Sequence, residues 1–398
     1  MRILFVAPRL PMPADTGAKI RTFNLLKSVS TANDVSFLSF DFDNDGDARE
    51  DLGKLGIKTF LVKAKERMRP FSIFSDKPVV IDKYYSRGMA AAVQNIVSAD
   101  RFDLAHFDHL HMGQYRRYLD GIPCVLDEHN VESVIFKRCS EIEKNPVKKA
   151  LFILQTGKMA DFERSLIRQF SRCLAVSEND KDALMRMSEG KAKVEVISNG
   201  VDTEYFSPRS TVHSPRSEKT VVFTGSMDWL PNIDAVSYFA KEILPLVWLK
   251  NSDVKFYIVG KNPAGEVKAL AVRDKRIVVT GRVDDVRPYL FNAKVFVAPL
   301  RIGGGTRLKI LEAMSMGKTV VSTTIGAEGI DCIADANILV ADAPRNFADK
   351  IELVLNNEDK ARDIGRDARR LVTEKYDWSA IGRRLNDVYR EAVDAQYN

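Results

Sequence analysis

No stretch of this sequence approaches the roughly 20 consecutive apolar residues that a membrane-spanning helix needs. The only N-terminal apolar run, Ile3 to Ala7, stops at Pro8, far short of a signal-peptide core. These two absences lead to the expectation of a cytoplasmic protein, neither secreted nor inserted. Cysteine is scarce as well: Cys124, Cys139, Cys173 and Cys332 are widely spaced, with no zinc-type pairing and no disulfide framework, so reduced and mostly buried thiols are expected. A strong charge of one sign is also missing. A formal net charge of +6 over 398 residues is too mild to argue for a nucleic-acid partner, which calls for clustered Arg and Lys interleaved with aromatics. No low-complexity tract or short-period repeat interrupts the chain.

What is present is ordinary globular material, 45% hydrophobic and 29% charged, and too long for one typical core, so two domains of comparable size are the natural division. One region is more basic than the rest. Residues from about 137 to 172 carry Lys137, Arg138, Lys144, Lys148, Lys149, Lys158, Arg164, Arg168 and Arg172 against four acidic residues. Leu151, Phe152, Leu154, Phe162, Leu166 and Phe170 accompany them. Two readings stay open: a long surface helix packed on its domain, or a basic amphipathic surface that touches anionic lipid at the inner membrane face.

Hydropathy sets the fold class. Ile3–Ala7, Val35–Leu38, Thr59–Val62, Leu104–Phe107, Cys124–Leu126, Cys173–Val176 and Val194–Ile197 read as short buried strands separated by turns and helical stretches. Such alternation predicts an α/β fold with a parallel sheet covered on both faces. Around Ser207 to Lys219 the texture turns to Ser, Pro, Arg and His, as in a linker. The rhythm then restarts with Val221–Thr224, Phe256–Val259, Ile277–Thr280, Val295–Ala298 and Thr319–Ser322. The expected division is a first domain over residues 1–206, a linker over 207–219 and a second domain over 220–378. A final amphipathic helix, with Ile381, Leu385, Val388 and Tyr389 on one face, packs back on the first domain. Two doubly wound domains facing each other leave a ligand cleft at the carboxyl ends of their strands.

The clearest chemistry follows the strand Val295–Ala298. Gly303, Gly304 and Gly305 at a strand-to-helix turn let backbone amides approach a ligand, and the helix N-terminus adds its positive dipole, which suits a diphosphate. Arg307 and Lys309 stand in the first turn, where cations oppose the dipole unless a bound anion compensates them. Glu312, one turn deeper, would repel phosphate but suits a ribose diol. In the first half, Asp108, His109 and His111 follow one strand and His129 follows another, all at carboxyl ends. Asp108 and His109 are candidate acceptor contacts, and no fixed spacing marks a metal cluster. Asp41-Phe42-Asp43-Asn44-Asp45 looks like an acidic metal motif but reads as a solvated loop.

The run Gly303 to Met314, with Gly317 to Val321 and Gly326 to Gly329, resembles the nucleotide-sugar signature of glycosyltransferase family 4, the retaining GT-B enzymes of the bacterial surface-polysaccharide type. Asn199 to Asp202, Phe223 to Trp229, Gly281 to Val283 and Pro13 to Gly17 support the resemblance, which extends over nearly the whole chain. It implies a GT-B fold of two Rossmann-like domains, with the donor held mainly by the second and the acceptor by the first. By the same resemblance, Glu312 holds the ribose, the amides of Gly304 to Thr306 the diphosphate and sugar, Arg282 and Val283 the base, and Gly17 and Gly225 approach the donor phosphates. His129 lies near the transferred sugar, and Lys19, Arg21, Asp108, His109 and Asn130 fall on the acceptor side. The implied activity is metal-free, cofactor-free hexosyl transfer from a nucleotide sugar to a saccharide or lipid-linked glycan of the cell envelope.

Two positions depart from the family pattern. The glutamate usually found eight positions before the ribose glutamate is Gly304 here. Ser226 and Pro231 stand where an Arg and a Lys commonly follow the first strand of the second domain, so Arg307 and Lys309 are expected to supply the phosphate-neutralising charge. These departures keep two alternatives in play: a nucleotide-sugar epimerase on the same architecture, and a non-catalytic subunit that only binds nucleotide sugar.

Overall fold

A computed structural model of the chain describes residues 1–14, 16–42, 48–64, 75–208, 219–303 and 306–397. Of the positions singled out above, Asp15, Asp43, Asn44, Asp45, Gly304, Gly305 and residues 209–218 lie outside it.

The first unit comprises Met1–Ser198 and Trp378–Asn398. Its sheet has seven parallel strands: β1 Arg2–Ala7, β2 Asp34–Asp41, β3 Lys58–Lys63, β4 Leu104–Asp108, β5 Cys124–Glu128, β6 Arg172–Ala175 and β7 Val194–Val196, in the order β3-β2-β1-β4-β5-β6-β7. The central strands are buried on both faces, hence their mostly apolar runs, and helices cover them. The order reverses between β1 and β4, which opens a crevice at their carboxyl ends.

The second unit is Asn199–Asp377. Its six parallel strands are β8 Thr220–Thr224, β9 Lys255–Val259, β10 Ile277–Gly281, β11 Val295–Ala298, β12 Val320–Ser322 and β13 Leu339–Val340, ordered β10-β9-β8-β11-β12-β13. Here the reversal falls between β8 and β11. Both strands are fully buried, and the glycine turn follows β11.

Two expectations need correction. The boundary falls before Asn199 and not after residue 206. Val201 donates its N–H to the Tyr376 carbonyl at 2.8 Å, the Thr203 hydroxyl donates to Asp377 at 2.8 Å, and the Phe206 carbonyl accepts from the Ser315 hydroxyl at 2.7 Å. Those bonds tie the segment, expected to end the first domain, to the second unit. The basic region is two helices, Glu132–Ile142 and Pro146–Ile167, because Asn145 caps the second through the Val147 and Lys148 amides and Pro146 opens it. Strand β13 had no sequence signal of its own, since two residues are too few to show a period.

The terminal helix Trp378–Tyr397 belongs to the first unit and packs along the first helix, Gly17–Ser30. Ile381, Leu385, Val388 and Tyr389 form its buried face. Gly382 is required at the contact, because a Cβ there would lie 2.3 Å from that of Ser28.

Candidate functional site

In the second unit, the end of β8 and the helix after β11 meet. Gly225 closes β8 with φ 153°, a backbone state open to glycine. The helix Leu308–Ser315 follows β11, with Arg307 at its N-cap position. From its second residue, Lys309 reaches back across the end of β8. Its ammonium donates to Asn232 Oδ1 at 2.7 Å and lies 4.0 Å from the centroid of the Phe223 ring. A Cβ on Gly225 would stand 2.7 Å from Lys309 Nζ, so glycine leaves room for the ammonium. Asn232 is buried and spans the turn, donating to the Ser226 carbonyl at 2.8 Å while accepting from Lys309. Lys309 thus occupies the end of β8, where the residues at Ser226 and Pro231 supply no cation.

Arg307 donates to the Ile325 carbonyl at 3.2 Å and lies over Gly303, whose φ is 137°. A Cβ on Gly303 would approach the guanidinium to 2.9 Å. Thr306 is buried and held on both sides, donating to the Gly329 carbonyl and accepting from Asn199 Nδ2, each at 3.1 Å. The end of the glycine turn at Thr306 is therefore anchored. Burial and the nearby Arg307 lower Lys309 to about 7, with Glu312 opposing. Burial likewise raises Glu312 to about 7, with Lys309 opposing. Arg307 beside a lysine and a carboxyl that are each about half-ionised near pH 7 makes a site that gains from an anion. Arg282 is exposed after β10 and Val283 packs partly on the core beneath it.

In the first unit, Asp108 ends β4 and pairs in register with Asp127 on β5, so both carboxylates stand on one face. His129 Nε2 lies 2.7 Å from Asp108 and 3.4 Å from Asp127. The Thr22 hydroxyl donates to Asp108 at 2.9 Å, and His109 Nδ1 lies 3.1 Å from the same carboxylate. His109, with φ 74°, places its ring 3.6 Å from that of His129, centroid to centroid. Burial opposes the charge on His129, but the two carboxylates outweigh it and hold the imidazole protonated up to about 9. His129 is thus a fixed positive charge at neutral pH and not a free base.

Arg21 requires a correction. It was expected among acceptor contacts, but it is 1% exposed and forms a bidentate pair with Asp127 at 2.9 and 2.7 Å. Its third donor reaches the Ser198 carbonyl at 3.1 Å. A guanidinium so enclosed orders the cluster and cannot meet a substrate. Gly17 begins the first helix and is exposed, Lys19 and Asn130 are half-buried, and Thr16 caps the helix through the Lys19 amide. His111 stacks on Tyr84 at 4.0 Å.

Sequence reading missed Asp127, Asn232 and Glu132. The first two act through partners 106 and 77 residues away. Glu132, near His129, has its carboxyl raised to about 7 by burial. Ligand-type atoms do converge here: Asp108, His109 and His129 form one group within 4.8 Å, and His106, Asp108 and Asp127 another. The oxygens of Asp108 and Asp127 already accept from Arg21 and Thr22 and face the ring nitrogens of His109 and His129. A cation would have to displace those partners, so the cluster fits an ion-pair network better than a metal site.

Comparison with known proteins bears on the family and the fold. Residues 17–205 match the family described as Glycosyltransferase Family 4, and residues 218–357 the one described as Glycosyl transferases group 1. An "Uncharacterized 44.6 kDa protein in cps region" of Klebsiella pneumoniae is 22% identical, over 98% of this chain and 99% of its own. Sucrose-phosphate synthase from Thermosynechococcus elongatus superposes with a TM-score of 0.76 at 16% identity, covering 99% of this chain and 100% of the other. Anabaena Alr3699/HepE, solved in complex with UDP-glucose, gives 0.69 at 16% identity, covering 98% and 100%. The fold is therefore GT-B, and with two family matches spanning most of its length the chain belongs to the family 4-like glycosyltransferases.

Proposed function

We propose that this glycosyltransferase moves a hexosyl group, with retention and without a metal, from a nucleoside-diphosphate sugar to a saccharide or lipid-linked glycan. The observation that carries this is Lys309 drawn to Asn232 at the end of β8, with Arg307 over Gly303 beside it. In such a site the charge that develops on the departing diphosphate is met by fixed amides and by Arg307 and Lys309. Glu312 on the same helix takes the ribose diol. The acceptor oxygen forms its bond to the anomeric carbon on the face the diphosphate leaves, the bond to the phosphate oxygen breaks, and that oxygen takes the acceptor proton. His129, held as an imidazolium, donates to a hydroxyl of the transferred sugar. UDP-glucose in the Anabaena neighbour supports a hexosyl donor, and the Klebsiella relative, named for a cps region, supports a cell-envelope role.

The test is transfer of a radiolabelled hexose from donor to glycan acceptor, run with and without acceptor. Acceptor-dependent glycoside with an unchanged anomeric configuration supports the reading. An isomerised donor without acceptor supports epimerisation, and nucleotide binding without any reaction supports a binding subunit.

Contact with an anionic membrane is part of the proposal. No described helix is long and apolar enough to cross a bilayer. Val147, Leu151, Ile153 and Leu154 are 77, 40, 57 and 48% exposed on the Pro146–Ile167 helix, beside Lys148 and Lys149. Apolar side chains next to lysines suit an anionic lipid surface. Sedimentation with anionic vesicles at low salt tests this, and no binding there excludes it.

A further inference from the structure

The face of the first sheet that carries Asp108 and Asp127 also carries His106, two residues before Asp108 on β4. Its ring is fully buried, stacked on Phe5 with centroids 4.0 Å apart. The Tyr389 hydroxyl, from the terminal helix, meets His106 Nδ1 at 2.7 Å. His106 Nε2 is buried with no partner among the described residues. A ring nitrogen of His106 and oxygens of Asp108 and Asp127 lie within 4.8 Å of one another. The transfer chemistry above uses none of Tyr389 or His106.

We propose that Tyr389 is a positioning residue for His129, acting through the His106 ring on the carboxylates of Asp108 and Asp127. In this proposal the phenol donates to Nδ1 and the ring carries its own proton on Nε2. Burial keeps His106 neutral, lowering it to about 4, so the ring stays uncharged throughout the neutral range. The groups that face this ring are Asp108 and Asp127 from β4 and β5, Arg21 from the first helix, His129 and Tyr389. A ring locked in one tautomer presents a fixed dipole to two carboxylates in a dry setting. Those carboxylates in turn hold the imidazolium of His129. The terminal helix is where the chain, having left the second unit at Asp377, rejoins the first, so its seating reaches the reacting end of the sheet. Asn33 Nδ2 also donates to Asn386 at 2.7 Å to seat it.

This inference rests on the reading of His129 as part of the transferase site, and its test is kept separate from activity. In the full chain, with five histidines to resolve, NMR titration identifies the His129 ring by its absence in His129→Gln. Tyr389→Phe is expected to displace the His129 midpoint by about half a unit or more. It should lower kcat about fivefold, the scale of one hydrogen bond, with donor KM held within about twofold. Val388→Ala, on the same buried face of the helix, is expected to lower Tm while leaving the midpoint within about 0.2 unit. Should Tyr389→Phe fail to fold, His106→Phe, which keeps the stacked ring but removes both nitrogens, is expected to displace the midpoint as well. An unmoved midpoint in the tyrosine variant, or an equal shift in Val388→Ala, overturns the proposal. Wild-type transfer by His129→Gln would instead overturn the reading it rests on, while the midpoint still reports the coupling.

Discussion

Lys309 Nζ and Asn232 Oδ1, on the helices that follow β11 and β8, are 2.7 Å apart. That bond puts a cation at the crevice between the two central strands of the second unit. Asn232→Ala removes the acceptor that aims the ammonium, while Lys309→Met removes the charge itself. The first is expected to weaken nucleoside-diphosphate binding about three- to tenfold, and the second at least tenfold. Calorimetry on both variants checks the ranking.

Burial lowers Lys309 to about 7, so above that pH most of its population is neutral before ligand arrives. A bound diphosphate favours the charged form and raises it again. At pH 8 the nucleotide phosphates are ionised, and Glu312, at about 7, is mostly so. Binding is therefore expected to take up as much as about one proton per site. Titrations in buffers of different ionisation enthalpy measure it, and the uptake should vanish in Lys309→Met.

His129 titrates near 9 when folded, above its ordinary value of 6.5. Folding is then favoured by its protonation, a contribution complete below pH 6.5 and lost as pH rises through 9. Denaturant unfolding of wild type and His129→Gln should show a stability gap that narrows by about 3 kcal/mol across that window. A gap independent of pH would mean that the carboxylates do not hold the imidazolium.

Arg21 and Asp127 are both essentially unexposed. Breaking such a pair from one side leaves a buried charge alone. Arg21→Ala is expected to destabilise the first unit by about 3–5 kcal/mol, where loss of an acceptor contact would change only KM. Thermal unfolding together with acceptor kinetics separates these outcomes.

Much of this arrangement was legible in the sequence because it depends on local pattern. The apolar runs of β1, β8 and β11 are continuous since those strands are covered on both faces, and Gly303, Arg307, Lys309 and Glu312 announce an anion site within ten residues. Arg21 shows the limit. The family resemblance put it on the acceptor side, and only its bidentate pair with Asp127 on β5, 106 residues away, shows it buried. Asn232 is similarly silent in sequence, since a single amide after a proline has no pattern. Residues 199–206 were expected to close the first domain, because their bonds to Ser315, Tyr376 and Asp377 leave no mark on composition.

The claim that Arg307 and Lys309 replace the usual phosphate cations is tested most directly by binding. UDP, GDP and ADP are titrated into wild type and into Arg307→Ala/Lys309→Ala, with folding verified by thermal unfolding. The expected result is that the wild type binds at least one of the three and that the double variant, still folded, binds it about a hundredfold more weakly or not at all. Equal affinity in both proteins would contradict the assignment.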